Sequence, residues 1–268
     1  MNPNVLVICG NGINADAELA RAFELAGAKS GRVHINDLVA EPGLMARADI
    51  LAFPGGFSYG DHLGSGQVLA LLCRRKLRPA LEAFVARGGL VIGICNGFQA
   101  LVKMGLLPNR PEEAGKPGSW RREVSLIHNS LGTLYHDAWV PIRFESASRC
   151  LWTAGLAPRD LPIRHGEGRF VARDAAVLEV LESEGLVALR YGRPGLVPGD
   201  LPCEGNLNGS EHDIAGICDA TGRVLGLMPH PEAYLVRENS PDRRRGGPQG
   251  PLGLDLFEKG VAAARDNR

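Results

Sequence analysis

Charge of either sign is not in excess in this sequence, because thirty Lys and Arg residues balance thirty Asp and Glu residues. A protein that binds nucleic acid or an acidic membrane surface normally carries a basic excess, and the long-range field of such an excess is missing here. Long apolar runs are missing too, since residues 68–73 form one of the longest and two arginines follow them. A membrane-spanning helix needs roughly 18 or more apolar residues. We therefore expect neither a membrane protein nor a nucleic-acid-binding protein.

Motifs that bind metals and nucleotides are also absent. The six cysteines and seven histidines include no C-x-x-C and no H-E-x-x-H pattern, so the ligand spacing of a zinc site is missing. No G-x-x-x-x-G-K-[ST] segment offers a P-loop. Near the N-terminus only residues 5–8 are apolar, which is too short for the core of a signal peptide. We expect a cytoplasmic protein with free thiols, no metal and no cofactor of its own.

Glycine is abundant. It makes up 35 of the 268 residues, nearly twice the share of about 7% that is typical of proteins, and this indicates many tight backbone turns. In the first half, β-branched runs alternate with segments of helical periodicity. The predicted strands are 5–8, 33–35, 50–53 and 90–94, and the predicted helices are 16–26, 67–87 and 98–104. This alternation predicts β-α-β units on a parallel sheet, an α/β fold.

The second half has a different character. Residues 107–122 are polar and rich in Pro and Gly, which predicts a surface loop or a subdomain junction. Strand-like runs at 124–144 and 186–227 alternate with turn signals and predict antiparallel additions to the sheet. A flexible loop at 242–251 precedes a closing helix at 254–264. Because neither a repeat nor a firm boundary is visible, we treat residues 1–268 as a single domain.

The segment G-I-C-N-G, residues 93–97, lies between a predicted strand and a predicted helix. A cysteine at such a turn is held above the carboxyl edge of the sheet, and the flanking glycines allow close approach of the backbone. The start of the following helix favours the reactive thiolate. These features predict that Cys95 is a nucleophile. The alternative is a small buried residue in a glycine-rich turn.

A nucleophilic cysteine needs a base and a group that orients the base. The segment M-P-H-P-E, residues 228–232, supplies both directly after a predicted strand. Pro231 favours an extended backbone at His230, and the alternation of an extended chain then directs His230 and Glu232 to the same side. The alternative is a proline-rich turn with a solvated His and Glu. Together with the cysteine turn, the segment predicts a Cys95–His230–Glu232 triad.

The triad requires donors for a developing oxyanion, and the loop P-G-G-F-S-Y-G-D at residues 54–61 is the candidate. Glycine can turn a backbone N–H towards the oxyanion. We predict that the N–H groups of Gly56 and of Asn96, the residue after the nucleophile, are the two donors. Glycine-rich loops after strands are common, so this prediction depends on the other two segments.

Several other segments leave their role open. Residues 10–15 fit the G-x-G-x-x-A pattern of dinucleotide-binding loops, with Asp37 where a ribose-binding acid is expected, although the second strand matches poorly. Residues 164–168 and 206–210 are either plain turns or carriers of polar groups above a pocket, and their spacing does not decide between these. The arginine run at 243–245 is typical of a solvated loop.

Seven segments form a family pattern when they are taken together. They are P-G-G-F-S-Y-G-D (54–61), G-I-C-N-G-F-Q (93–99), G-L-L-P (105–108), H-G-E-G (165–168), N-L-N-G-S (206–210), D-I-A-G (213–216) and M-P-H-P-E (228–232). They resemble the class I glutamine amidotransferase family over nearly the whole chain. Within it, F-S-Y-G-D, H-G-E-G and N-G-S-x-x-D-I-A-G are similar to the glutaminase subunits of phosphoribosylformylglycinamidine synthase.

This resemblance implies a flavodoxin-like fold, an open and mostly parallel sheet with helices on both faces. It also implies hydrolysis of L-glutamine to L-glutamate and ammonia through a γ-glutamyl thioester on Cys95. His230 would act as acid and base, and Glu232 would orient it. Gly55 and Gln99 would contact the glutamine.

The resemblance further implies partner subunits. A large synthetase subunit would bind ATP, magnesium and formylglycinamide ribonucleotide, and would use the ammonia in purine synthesis, usually with a small bridging subunit. The chain departs from the family pattern at residues 9–16 and at Ala233, where the family commonly has Arg. Two other functions stay open, a Cys-His-Glu amidohydrolase or peptidase of the same fold and a non-catalytic dinucleotide-binding module.

Overall fold

The computed structural model describes residues 2–110, 120–131, 134–195, 202–245 and 252–267. These residues form eleven strands and seven α-helices. The strands are β1 (Asn4–Cys9), β2 (Lys29–His34), β3 (Ile50–Phe53), β4 (Leu90–Ile94), β5 (Val124–His128), β6 (His136–Phe144), β7 (Arg159–His165), β8 (Glu167–Ala172), β9 (Val187–Tyr191), β10 (Ile214–Cys218) and β11 (Val224–Leu227). The helices are α1 (Asp16–Leu25), α2 (Ile35–Ala40), α3 (Gln67–Leu72), α4 (Arg78–Ala86), α5 (Asn96–Met104), α6 (Ala175–Ser183) and α7 (Leu254–Asp266).

Nine strands form one mixed sheet in the order β2-β1-β3-β4-β11-β10-β9-β6-β7. The first five of these run parallel to one another. From β11 onwards each strand pairs antiparallel with the next. β5 and β8 form a separate antiparallel pair. The predicted α/β fold, with a parallel sheet and antiparallel additions in the second half of the chain, is confirmed.

β11 is the last of the described strands in the sequence, yet it lies in the middle of the sheet. It runs parallel to β4, with Leu227 opposite Ile94. Both strands therefore end at the same edge of the sheet, and the segments that follow them begin side by side. This pairing brings residues 95–99 and 228–232 together although they are far apart in sequence.

The central strands are buried from end to end, as β3, β4 and β11 show. Strands covered on both faces carry continuous apolar runs, which is why the sequence pattern finds them. Helices cover both faces of the sheet. α1 packs against α7, where the rings of Phe23 and Phe257 meet edge to face with centroids 5.2 Å apart. α5 packs on β4 and β11 and also contacts α3.

The second strand differs from its prediction. It spans Lys29–His34, and Ile35 begins α2 instead of ending the strand. The reason is local, because Nδ1 of His34 accepts a hydrogen bond from the N–H of Asn36 at 3.2 Å and so caps the helix.

The long predicted helix at 67–87 is observed as α3 and α4, joined by a π-helical segment, Cys73–Leu77.

Two predicted loops lie partly outside the described residues, namely 111–119 of the loop at 107–122 and 246–251 of the loop at 242–251. All six cysteines are free thiols, as predicted. Within the described ranges, no helix has the length and apolarity needed to cross a membrane, and the cytoplasmic location stays a prediction. No group of three or more His, Cys, Asp or Glu side chains suited to a metal occurs in the same ranges.

Gly260 tests the packing of α7. A Cβ at this position would lie 2.1 Å from Cζ3 of Trp152, which is fully buried. Alanine normally stabilises a helix interior by about 1 kcal/mol relative to glycine, but overpacking a core costs about 1–3 kcal/mol. We expect Gly260→Ala to lower the free energy of unfolding measured with urea. The neighbouring exposed substitution Lys259→Ala should change it by less than about 0.5 kcal/mol, and a more stable Gly260→Ala protein would contradict this packing.

Candidate active site

Cys95 lies at a sharp turn between β4 and α5. Its backbone has φ 51° and ψ −106°, a conformation that residues with a side chain seldom adopt. The turn is held by a hydrogen bond from the Cys95 N–H to the carbonyl oxygen of Leu227 at 2.8 Å. A Cβ at Gly97 would lie 2.0 Å from the carbonyl oxygen of Phe53, so only glycine lets α5 approach β3 so closely. The predicted nucleophile turn is therefore present, and Cys95 is 5% exposed.

His230 and Glu232 follow β11 and contact each other. Nδ1 of His230 donates to Oε1 of Glu232 at 2.6 Å, and both side chains are buried. The backbone N–H of His230 bonds to the carbonyl oxygen of Pro162 at 2.8 Å. The extended alternation predicted here is wrong in its geometry, because Pro231–Ala233 forms a 3₁₀ turn. This turn brings the two side chains together in place of the alternation.

The three residues of the predicted triad meet in one pocket. A Cβ added to Gly55 would lie 2.8 Å from Cε1 of His230 and 3.6 Å from Cβ of Cys95, so the imidazole and the Cys95 side chain both border this glycine. Nε2 of His230 is buried and has no well-formed hydrogen bond in the described part of the chain. It is the ring nitrogen left for the thiol, because Nδ1 is occupied by Glu232.

The charge state of His230 is set by two opposing effects. Burial lowers its pKa, but the negative charges of Glu232 and Cys95 outweigh burial and raise the pKa to about 10. His165, which lines the same pocket, behaves in the opposite way. Burial, followed by repulsion from His230 and His136, lowers the His165 pKa to about 3. The pocket therefore holds one protonated and one neutral imidazole at neutral pH.

The two predicted oxyanion donors come from two different segments of the site, the start of α5 and the loop after β3. Asn96 is the first residue of α5, so its N–H is one of the N-terminal groups without an intrahelical acceptor. Gly56 lines the pocket with φ +145°. Its neighbours bond to residues 10–15, since Phe57 N–H donates to the Gly12 carbonyl at 2.8 Å and Asn14 N–H to the Gly55 carbonyl at 3.4 Å.

Gln99 lines the pocket, but both ends of its amide already have protein partners. Oε1 accepts from Nδ2 of Asn96 at 3.0 Å, and Nε2 donates to the carbonyl oxygen of Glu167. Gly55 lies between the pocket and the loop at residues 10–15. Both residues lie beside Cys95. Their contacts with glutamine stay predictions.

The H-G-E-G segment contributes more to the pocket than its spacing could indicate. Arg164, His165, Gly166 and Glu167 all line it, and Sγ of Cys95 lies 3.7 Å from the carbonyl oxygen of Arg164. β7 carries this segment to the site, and that strand was not predicted. The resemblance to a family was the signal that singled the segment out.

The N-L-N-G-S segment supports that turn from behind and does not line the pocket. Nδ2 of Asn208 donates to the carbonyl oxygen of Gly168 at 3.0 Å and to Oη of Tyr191 at 3.1 Å. Asn206 in turn bonds to Asp213 at 2.8 Å. The segment therefore stabilises the H-G-E-G turn through hydrogen bonds.

The loop at residues 10–15 is used internally. The N–H groups of Asn14 and Ala15 donate to the carbonyl oxygen of Gly55. A Cβ at Gly12 would lie 2.0 Å from the carbonyl oxygen of Phe57, so the two loops are in close contact. These contacts occupy groups that a dinucleotide pyrophosphate would need. Asp37 lies within α2 and does not end a strand. The arrangement disfavours the dinucleotide-binding alternative and shows that the loop supports residues 55–59.

Comparisons with known proteins give the relatives of the chain. Residues 2–262 match the family described as the CobB/CobQ-like glutamine amidotransferase domain. The protein named phosphoribosylformylglycinamidine synthase subunit PurQ from Methanococcus maripaludis is 41% identical over 240 residues, which cover 90% of this chain and 85% of that protein. The protein of the same name from Treponema denticola is 41% identical over 271 residues, covering 97% and 98%.

One solved structure is similar over nearly the whole length of the chain. It is described as PurLQS from Thermotoga maritima and has 28% sequence identity and a TM-score of 0.71. The similarity covers 98% of this chain and 99% of that one.

The His230 pKa gives a direct test of the site. Because its folded-state value of about 10 lies above the ordinary 6.5, protonated His230 stabilises the fold at low pH, and this contribution is lost as the pH rises through about 10. We expect the imidazole NMR signals of His230 to titrate near pH 10. Glu232→Gln should move the midpoint down, because the largest charge that raises it is removed.

The exposed substitution Glu258→Gln on α7 is the matched control and should leave the midpoint unchanged. An unchanged midpoint in Glu232→Gln would mean that the carboxylate does not set the charge of the imidazole.

Proposed function

Since the chain belongs to the CobB/CobQ-like glutamine amidotransferase family, we propose that it works, as a single domain, as the glutaminase subunit of a phosphoribosylformylglycinamidine synthase. It hydrolyses L-glutamine to L-glutamate and ammonia. The observation that carries the proposal is the pocket shared by Cys95, His230 and Glu232, with its 2.6 Å hydrogen bond between imidazole and carboxylate. The relatives that are 41% identical over 90% or more of the chain carry the name of this synthase subunit.

The reaction has two halves. The Cys95 thiolate attacks the side-chain amide carbon of glutamine, and the protonated His230 gives its proton to the departing nitrogen, which leaves as ammonia. A γ-glutamyl thioester stays on Cys95. Neutral His230 then takes a proton from water, the hydroxide attacks the thioester carbon, and the C–S bond breaks. Glutamate leaves, and the thiolate and imidazolium are restored.

Glu232 keeps the imidazole in the orientation that both proton transfers need. Its carboxylate holds Nδ1, so Nε2 is the nitrogen that exchanges the proton with substrate and water. The N–H groups of Gly56 and Asn96 would stabilise the negative oxygen of the two tetrahedral intermediates. Such donors act where charge develops, so they lower the barrier more than they strengthen binding.

The pocket suits a small zwitterion. It has a volume of about 270 Å³ and offers charges of both signs, with the guanidinium of Arg164 and the carboxylate of Glu167 among its lining groups. An α-carboxylate and an α-ammonium group can each find an opposite charge there. Gln99 lines the same space and Gly55 lies beside His230 and Cys95, and both would contact the bound glutamine.

A partner must use the ammonia, and the relatives are named as subunits of a synthase. We propose a large synthetase subunit that binds ATP, magnesium and formylglycinamide ribonucleotide, together with a small bridging subunit. This chain then needs no cofactor of its own. Exposed apolar side chains flank the pocket and support a docking face, because Phe57 and Tyr135 line it and Leu134, next to Tyr135, is 83% exposed.

Removal of the nucleophile tests the activity. We expect Cys95→Ala to abolish ammonia release from glutamine, since no thioester can form, both in the free chain and in the complex with the synthetase. The measurement is ammonia production with glutamine and, in parallel, hydrolysis of peptide substrates. Full ammonia release by Cys95→Ala would overturn the proposed function, and cleavage of peptides in preference to glutamine would favour a peptidase.

The docking face has its own test. Leu134→Glu puts a charge into an apolar contact that must lose water on binding. We therefore expect the dissociation constant for the synthetase to rise at least tenfold, which equals about 1.4 kcal/mol of binding free energy. The exposed Leu25→Glu at the end of α1 is the control. Equal affinity of the two variants would remove Leu134 from the interface.

A further inference from the structure

We propose that the side chains of Asp61 and Asn96 form a clamp that positions the two oxyanion donors around Cys95. The proposal rests on the proposed glutaminase activity and assigns two positioning residues to it. The term Asp61–Asn96 clamp means these two side chains. Neither side chain needs to touch the reacting atoms, because the clamp acts through the backbone of the residues that do.

The side chain of Asn96 joins the nucleophile turn to the loop at residues 54–61. Oδ1 of Asn96 accepts a hydrogen bond from the N–H of Ser58 at 3.1 Å. Nδ2 of Asn96 donates to Oδ1 of Asp61 at 3.0 Å. A single residue therefore supplies one predicted oxyanion donor through its backbone and holds the loop of the other donor, Gly56, through its amide.

The loop needs such a hold because its backbone is strained. Tyr59, Gly60 and Asp61 have φ values of 54°, 69° and 52°, three consecutive residues in the left-handed region. Two of them carry side chains, for which this conformation is unfavourable, and it persists only where the surroundings fix it. Oδ1 of Asp61 accepts from the N–H of Gly66 at 3.1 Å as well as from Asn96. This carboxylate therefore joins the end of the loop to the residues that follow it and to the start of α5.

The same contacts continue into the H-G-E-G turn. Nδ2 of Asn96 also donates to Oε1 of Gln99, whose Nε2 donates to the carbonyl oxygen of Glu167. Oε2 of Glu167 accepts from the N–H of Ser65 at 3.3 Å, and Nζ of Lys103 donates to the carbonyl oxygen of Ser65 at 2.6 Å. The cysteine turn, the loop at residues 54–61 and the H-G-E-G turn are thus joined through Asn96, which is 1% exposed.

A donor that moves away from the oxyanion loses its effect mainly in the transition state. Loosening the clamp should therefore lower kcat and leave KM nearly unchanged. If Asp61 instead bound the substrate, its loss would raise KM. The split between kcat and KM separates a positioning role from a binding role.

The substitution Asn96→Asp tests the clamp directly. It keeps the backbone N–H and an oxygen for Ser58, but it turns a second oxygen towards Oδ1 of Asp61 and Oε1 of Gln99, so both attractions become repulsions. We expect kcat for ammonia release to fall about 100-fold, the low end of what loss of one oxyanion donor costs, with KM within about threefold of the wild type. Asp61→Asn keeps the shape but loses the charged acceptor, and should lower kcat about tenfold.

The double variant Asn96→Asp, Asp61→Asn restores a donor and acceptor pair. Oδ2 of Asp61 lies 3.4 Å from Nδ2 of Asn96, so an amide nitrogen at the Oδ2 position can donate to the new carboxylate while Oδ1 still accepts from Gly66. We expect this variant to recover kcat at least about tenfold over Asn96→Asp alone, which a sum of independent structural losses would not give.

All variants are assayed in the complex with the synthetase, beside wild type, Cys95→Ala and the exposed control Asp266→Asn, with thermal unfolding as the check of folding. A higher KM at unchanged kcat, or no recovery in the double variant, would overturn the clamp. If Asn96→Asp does not fold, the isosteric Asp61→Asn decides by its kcat. Ammonia release that survives in Cys95→Ala would instead overturn the proposed function itself.

Discussion

The parallel pairing of β11 with β4 is the constraint on which the site depends. It sets Leu227 opposite Ile94, so the two strands end together and their following residues leave the sheet side by side. The same pairing continues one step further, because the N–H of Cys95 bonds to the carbonyl oxygen of Leu227. The strained turn at Cys95 is thus built on the strand that delivers His230. Neither segment could form the site in a sheet with another strand order.

Burial and charge oppose each other at the centre of this site. A buried imidazole would normally be neutral, as His165 is, with its pKa lowered to about 3. His230 is buried in the same pocket, yet its pKa is raised to about 10 because Glu232 lies at 2.6 Å and Cys95 adds a further negative charge. The difference between two neighbouring histidines comes from their partners. A proton is therefore held where the first half of the proposed reaction needs an acid.

The sequence pattern could predict those parts of the structure whose cause is local. Cys95 stands between glycines at a strand end, His230 and Glu232 are two residues apart, and the buried strands β3 and β4 are continuous apolar runs. The predicted end of β2 was wrong because the side chain of His34 caps α2, which begins at Ile35. The alternation predicted at Pro231 was wrong because a 3₁₀ turn replaces it.

The remainder depends on contacts between distant segments. β7 contains Pro162 and charged residues at both ends, so neither its existence nor its path to the pocket follows from periodicity. The bonds from Asn96 to Ser58 and Asp61 likewise join segments that no spacing rule relates. A family resemblance marked several of these residues, but only the fold gives their distances.

The most direct test of the central claim is a search for the covalent intermediate. The protein in its complex is mixed with glutamine, quenched with acid within the first turnover, digested and analysed by mass spectrometry. We expect a γ-glutamyl adduct on Cys95, and no adduct in Cys95→Ala treated in the same way. No adduct on Cys95 while ammonia is being released, or an adduct on another cysteine, would contradict the central claim.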